Sequence, residues 1–277
     1  MASPLVVLLT DFGCVDSFVG AMKGAILQKA PKAVIVDLCH HIPQGDIRAA
    51  AFQLMISFQY FPPKSLFVSV VDPGVGSGRK ILYAKTARYR FLAPDNGLLS
   101  WTFEKQPPLE VREVKNQKLF LHPVSRTFHG RDIFAPAAGA LLSGTPPSAL
   151  GPAIKNYRRI PFPRPRKTPS GIEGEILSVD RFGNLITNLT PKELPPPPYA
   201  FHAGRPLRNK EDVSAVPGPI PYGRALIPNL SKCYQEVSTG KLLAIQGSSG
   251  YIEISVRDGN ASQKLRLKTG GKIQVVG

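Results

Sequence analysis

The chain has 277 residues, 43% hydrophobic and 19% charged, which is enough apolar material for one large or two packed domains and excludes global disorder. No apolar run reaches the roughly 20 residues of a membrane helix, and Met1–Pro4 has no basic or cleavable apolar stretch, so a cytoplasmic protein with no membrane partner is expected. The formal charge of +16 raises nucleic acid as a partner, which the distribution of that charge has to decide.

The elements begin with a strand at Leu5–Thr10, followed by helical spacing over Ser17–Ala30 that stops before Pro31. Between them lie Thr10-Asp11-Phe12-Gly13 and Asp16. A carboxylate leaving a strand beside a glycine turn suits a ribose diol, because it accepts two hydroxyl hydrogen bonds. Capping of the next helix explains Asp11 and Asp16 equally well. Ala33–Leu38 is a β-branched strand, and Asp46 reads as the N-cap of a helix reaching about Tyr60. The pair His40-His41 has no third ligand nearby, so a structural or pocket-lining role is favoured over metal.

Leu66–Val71 is a buried strand, and Ile81–Lys85 and Arg90–Leu92 follow as two more. The loop Asp72-Pro73-Gly74-Val75-Gly76-Ser77 brings Arg79 within pairing distance of Asp72 along the chain. It lacks the third glycine or the GK[ST] of a phosphate cradle. Ala93-Pro94-Asp95-Asn96-Gly97 reads as a type I turn. In Thr127-Phe128-His129-Gly130-Arg131-Asp132, His129 suits a base or proton relay. The alternative is a satisfied loop histidine, with Asp132 capping a helix from about Asp132 to Ser143 ahead of Gly144. Strands alternating with helices predict an α/β domain over 1–151 with a mostly parallel sheet.

Residues 152–172 hold six basic side chains (Lys155, Arg158, Arg159, Arg164, Arg166, Lys167) and no acid. Four prolines (Pro161, Pro163, Pro165, Pro169) interleave them, so the segment reads as an extended linker and not as a recognition helix. The flanking parts are only mildly basic, with 16 Lys and Arg against 10 Asp and Glu in 1–151 and 13 against 9 in 173–277. No specific nucleic-acid partner is expected.

Residues 173–277 are β-rich, with candidate strands at Glu173–Asp180, Leu185–Asn188, Leu242–Ile245, Tyr251–Val256 and Lys272–Val276, and predict a smaller all-β barrel with a loop excursion over 191–230. Its polar punctuation is Asp180-Arg181-Phe182-Gly183-Asn184 and Gly247-Ser248-Ser249-Gly250-Tyr251. An aromatic beside an amide suits a purine; a β-turn with Phe182 plugging the core fits as well. The three cysteines, Cys14, Cys39 and Cys233, lack CxxC spacing. No GxSxG elbow is present.

Together, LLTDFGCVDSFVGAMKG, VDLCHHIPQGDIRAAAFQL, FPPKSLFVSVVDPGVGSGRK, FLAPDNGLL, TFHGRDIFAPAA, VDRFGNLITNL and SSGYIEISV resemble the S-adenosyl-L-methionine hydrolase (adenosine-forming) family, also called SAM hydroxide adenosyltransferases, whose relatives are the fluorinases and chlorinases. The resemblance covers nearly the whole chain and is poorest over 152–172 and 191–230. It implies an α/β domain joined to a β-barrel, a homotrimer with sites between subunits, and metal-independent cleavage of the C5′–sulfur bond by water, with SAM as substrate and no cofactor. It places an Asp–Arg–His set on Asp72, Arg79 and His129. Asp11 falls on the ribose-holding carboxylate and Asp16 near the methionine end. Asp180, Phe182 and Asn184 fall on contacts to the methionine amine and adenine, Ser248 on a methionine-carboxylate contact, and Tyr234 and Glu253 on the same pocket wall.

That chemistry suits these residue types. The sulfonium leaves as a neutral thioether without a general acid, so the site must supply a positioned water. Asp72 and His129 are expected to orient and polarise it while Arg79 fixes the carboxylate. Two other readings stand beside hydrolysis: a halogenase-like 5′ transferase, and a non-catalytic nucleotide-binding module.

Overall fold

The computed structural model describes residues 3–203 and 225–277. It divides into two compact units, one ending at Phe162 and one running from Pro163 to Gly277.

The first unit contains β1 (Leu5–Thr10), α1 (Phe18–Lys29), β2 (Val34–Cys39), α2 (Ile47–Ser57), β3 (Leu66–Val70), β4 (Ile81–Lys85), β5 (Arg90–Pro94), α3 (Ser100–Lys105), β6 (Glu110–Glu113) and α4 (Ala135–Leu142). The sheet order is β2-β1-β3-β5-β4-β6. The first four strands run parallel, while β4 pairs antiparallel with β5 and β6. The sheet is therefore mixed. The cause is local: only Thr86–Tyr89 separate β4 from β5, closed by Thr86 N–H donating to the Tyr89 carbonyl at 2.9 Å, and so short a turn joins antiparallel strands only. The strand β6 and the helix α3 were not anticipated from the sequence.

Alternation along β1 builds both cores. Val6 and Leu8 pack with Met22, Ile26, Phe134 and Ala138 on one face. Val7 and Leu9 pack with Ala50, Leu54, Phe67 and Phe103 on the other. Helices thus cover both faces of the parallel strands, which accounts for their nearly continuous apolar sequences. Asp46 caps α2 as expected, its side chain accepting from Ala49 N–H at 2.9 Å. The helix expected from Asp132 is instead a π-helical turn over Gly130–Phe134 that runs into α4, with Gly144 at φ +95° beyond its end. Turns of this kind recur at functional sites.

The Pro/Arg-rich segment expected as a linker is divided between the units. Residues 152–162 form a strap on the first unit: Ile154 N–H donates to Val111 at 2.8 Å, Ile160 N–H to Ser100 Oγ at 2.9 Å, and Trp101 Nε1 to the Pro161 carbonyl at 3.2 Å. Ile154 and Tyr157 pack against the core while Lys155, Arg158 and Arg159 stay exposed. Apolar residues spaced between the charges give the segment a side to bury, which net charge alone conceals.

The second unit holds β7 (Arg166–Thr168), β8 (Gly171–Val179), β9 (Leu185–Thr187), β10 (Ala200–Ala203), β11 (Ala225–Pro228), β12 (Leu242–Gln246), β13 (Ile252–Val256), the short helix α5 (Ala261–Leu265) and β14 (Lys272–Val276). Its order is β11-β10-β14-β8-β9-β13-β12, with β7 on β8, and these strand pairs are antiparallel. Ser231 N–H donates to the Ala244 carbonyl at 2.8 Å, bringing the chain after β11 onto β12 and nearly closing the sheet into a barrel. Ile176, Leu185, Phe201, Ile227, Ala244, Ile254 and Val275 fill it. The stretch 191–230, expected as a loop excursion, carries β10 and β11 among its described residues; its remainder, 204–224, lies outside them. The α5 helix also makes this unit not strictly all-β.

Candidate active site

The parallel strands β1 and β3 are neighbours, and each delivers a carboxylate at its C-terminal end: Asp11 follows Thr10, and Asp72 lies two residues beyond Val70. This edge of a parallel sheet is where α/β folds open their binding crevices. A cleft of about 680 Å³ is found there, lined among others by Asp11, Asp72, Phe12, Gln44, Phe128 and His129.

Arg79 organises the floor of the cleft. Its Nε donates to Asp72 Oδ1 at 2.8 Å, and its Nη2 contacts both Asp72 Oδ2, as an ion pair, and His129 Nδ1, at 2.9 Å. The Asp72 side chain is 5% exposed and that of Arg79 11%. Both Asp72 oxygens therefore face the guanidinium, Oδ1 through the Nε hydrogen bond and Oδ2 through the ion pair with Nη2. A guanidinium has no acceptor, so His129 Nδ1 must accept from Nη2, which leaves the ring neutral with its proton on Nε2. Burial and the adjacent Arg79 charge push the His129 pKa below its ordinary value, against the opposing pull of Asp72, Asp132 and a hydrogen bond to the Ser125 backbone. Geometry and electrostatics agree on the neutral form.

Backbone contacts fix the two loops. Gly76 has φ +77°, and a Cβ there would lie 2.3 Å from the Arg126 carbonyl oxygen, so only glycine lets the Asp72 loop approach the His129 loop this closely. Asp132 is fully buried; it accepts from Arg131 Nε at 2.6 Å and from Ser125 N–H at 2.8 Å, closing the loop that carries His129. It braces this loop and does not cap a helix.

Asp11 is not a helix cap either. Its Oδ2 accepts from Gly45 N–H at 2.9 Å, and α1 has no side-chain cap. Asp16 is exposed before α1 and is absent from the cleft lining. His40 is buried, with Nδ1 bonded to Thr10 Oγ1 at 2.8 Å and Nε2 3.0 Å from Asp37 Oδ1. Its ring is thus occupied structurally, and among the described residues no three His, Cys, Asp or Glu side chains gather as a metal site. Phe12, Phe18 and Phe128, which the sequence does not mark as site residues, pack with ring centroids 5.0–6.0 Å apart beside the cleft. Their one signal was adjacency: Phe12 follows Asp11, and Phe128 precedes His129.

In the second unit Asp180 closes the turn after β8, its Oδ1 accepting from Phe182 N–H and Asn184 N–H at 2.9 Å each and its Oδ2 from Asn184 Nδ2 at 2.8 Å. Phe182 is 75% exposed, so it is not a core plug. Gly183 is at φ +85°, packed on Asn260 too closely for any Cβ. Tyr234 Oη lies 3.4 Å from Glu253 Oε2. Burial, and then the Asp180 charge, raise the Glu253 pKa; burial and Glu253 raise that of Tyr234. Ser248 is exposed in the turn between β12 and β13.

An α/β domain with a cleft at the ends of its parallel strands, lined by Asp72 and His129 that share a bond to Arg79, defines an enzyme acting on a small molecule. The chain belongs to the SAM hydroxide adenosyltransferase family: the model of that family's N-terminal domain matches residues 6–151, and that of its C-terminal domain residues 174–274. Among its relatives, the (R)-S-adenosyl-L-methionine hydrolase of Thermus thermophilus is 34% identical over 98% of this chain and 99% of its own. The hydrolase of the same name from Salinispora tropica is 31% identical over 99% and 98%. A fluorinase from Actinoplanes sp. is more distant, at 23% over 99% and 97%. An uncharacterized conserved protein from Thermotoga maritima superposes with a TM-score of 0.85 at 33% identity, covering 98% of this chain and 100% of that one.

Proposed function

We propose that this protein hydrolyses S-adenosyl-L-methionine at the C5′–S bond to adenosine and L-methionine. The observation that carries the reading is the single guanidinium of Arg79 bonded to both Asp72 and His129 at the floor of the cleft. In this reading the Asp72 carboxylate accepts a proton of the attacking water, and the neutral His129 ring helps to orient that water. The water oxygen bonds to C5′ as the C5′–S electron pair leaves with sulfur, and the proton passes from Asp72 to solvent. Asp11 is assigned the ribose hydroxyls. Asp16, Asp180, Phe182, Asn184, Tyr234, Ser248 and Glu253 are assigned to the methionine and adenine ends. The curated relatives carry the (R) sulfonium epimer in their names, so that epimer is the first to test.

Reaction in ¹⁸O-water is expected to label the 5′ oxygen of adenosine. Excess chloride or fluoride should give no 5′-halo-adenosine, because an anionic Asp72 repels halide. A halogenated nucleoside as the main product, or unlabelled adenosine, identifies a different nucleophile.

The state of His129 sets the acid limb of the pH profile. Protonating Nδ1 removes the acceptor of the Arg79 bond and places two cations together. Because the His129 pKa is lowered, turnover should hold level as pH falls to about 6.5, the ordinary histidine value, and decline only below it. A half-maximal point above that value, in kcat against pH, contradicts the neutral-ring assignment.

The assembled form in this reading is a homotrimer. Support comes from the family resemblance. Light scattering should give three times the chain mass; a fully active monomer refutes it.

A further inference from the structure

The turn Ala93–Gly97 joins β5 to α3 and carries a bond that its turn geometry does not require. Asn96 Nδ2 donates to the Val71 carbonyl at 2.8 Å, while its Oδ1 accepts from Leu98 N–H at 3.1 Å. A carbonyl on one side and an N–H on the other fix which end of the amide is which. Val71 is fully buried and directly precedes Asp72. It also lies beyond the strand ladders: pairing of β3 with β1 ends at Val70, and pairing with β5 ends at Val68 opposite Leu92. Further along β5 comes Pro94, which has no N–H to give. The Asn96 amide therefore supplies a donor to a buried carbonyl at the point where the sheet stops doing so.

We infer that Asn96 is a positioning residue for the reaction, holding the backbone from which Asp72 projects towards the attacking water. This rests on the hydrolase reading above. Asn96 is not in the cleft lining and acts only through Val71. The same turn is tied from its other side, where Asp95 Oδ1 accepts from Arg158 N–H of the strap at 2.6 Å. The turn is thus braced by the strap while it braces the Asp72 loop.

The test compares the unaltered full chain with Asn96→Ala and Asn96→Asp, measuring kcat and KM for the (R) epimer together with thermal melting. Asn96→Ala is expected to lower kcat at least about 10-fold, since small misplacements of reacting groups are costly, with KM changed less than about threefold. Asn96→Asp keeps the acceptor for Leu98 but points a carboxylate at the Val71 carbonyl. Its deficit relative to the unaltered protein should be larger than that of Asn96→Ala near neutrality and shrink steadily towards acid pH, as the protonated carboxyl donates again. A purely structural asparagine would lower the melting temperature of Asn96→Ala while leaving kcat of the folded protein unchanged. Overturning results are kcat within about twofold in Asn96→Ala, a deficit in Asn96→Asp that does not vary with pH, or global unfolding of both variants, which would make the residue a support of the domain and not of the loop. If the unaltered protein releases no adenosine, the hydrolase reading fails. The positioning role is then read from hydrogen exchange at Val75 and Ser77, whose amides close the Asp72 loop. Exchange should quicken in Asn96→Ala, and unchanged exchange overturns the inference.

Discussion

Replacing Asp72 by asparagine is expected to slow adenosine release by about 10²–10⁴-fold, the usual contribution of a positioned general base. The amide keeps the shape of the carboxyl but cannot take a proton from water, and one of its ends now presents N–H groups to the Arg79 donors. The loss should fall on kcat, because the ribose contact assigned to Asp11 lies on a different strand and is held separately by Gly45 N–H. Steady-state kinetics on a variant that melts as a folded protein provides the check. Near-normal kcat removes Asp72 from the mechanism and leaves His129 to be reconsidered as the proton acceptor.

Arg79→Met should be nearly as damaging, for a different reason. The guanidinium meets both Asp72 oxygens and the His129 ring at once, and its loss strands a carboxylate whose side chain is 5% exposed. Breaking a buried pair from one side costs about 3–5 kcal/mol, so melting should drop clearly together with activity. Arg79→Lys restores the charge but not the fork, since one ammonium cannot reproduce the planar arrangement of Nε and Nη2. It is expected to recover much of the stability while kcat stays depressed by about 10²-fold. Full recovery of kcat by lysine would show that charge alone, and not bond geometry, is what Arg79 provides.

These variants probe an arrangement of which the sequence shows only the parts. Asp72 and Arg79 are seven residues apart on one glycine-punctuated loop, so their pairing was legible. His129 is fifty residues further on, and nothing in its own surroundings separates a relay from a satisfied loop histidine. The carboxylate of Asp11 left the same uncertainty, because a cap and a ligand-facing acid call for the same residue after a strand. Phe182 likewise fits a core plug and a stacking face until its exposure is known.

The local elements were determined by the sequence on its own. Apolar alternation and helical spacing are short-range properties, and they placed β1, α1, β2, α2 and β3 and the Asp46 cap close to where they lie. Resemblance over the whole chain carried the family and the set Asp72, Arg79 and His129. Tertiary structure decided what depends on partners far apart in the chain. The distant β6 was added to the edge of the first sheet beside β4. Apolar residues between the charges laid 152–162 onto the first unit as a strap, and β10 and β11 entered the barrel from a stretch that reads as loop. It also decided the proton on His129, because a ring nitrogen takes its state from the group that faces it. Here that group is the guanidinium of Arg79, which can only donate.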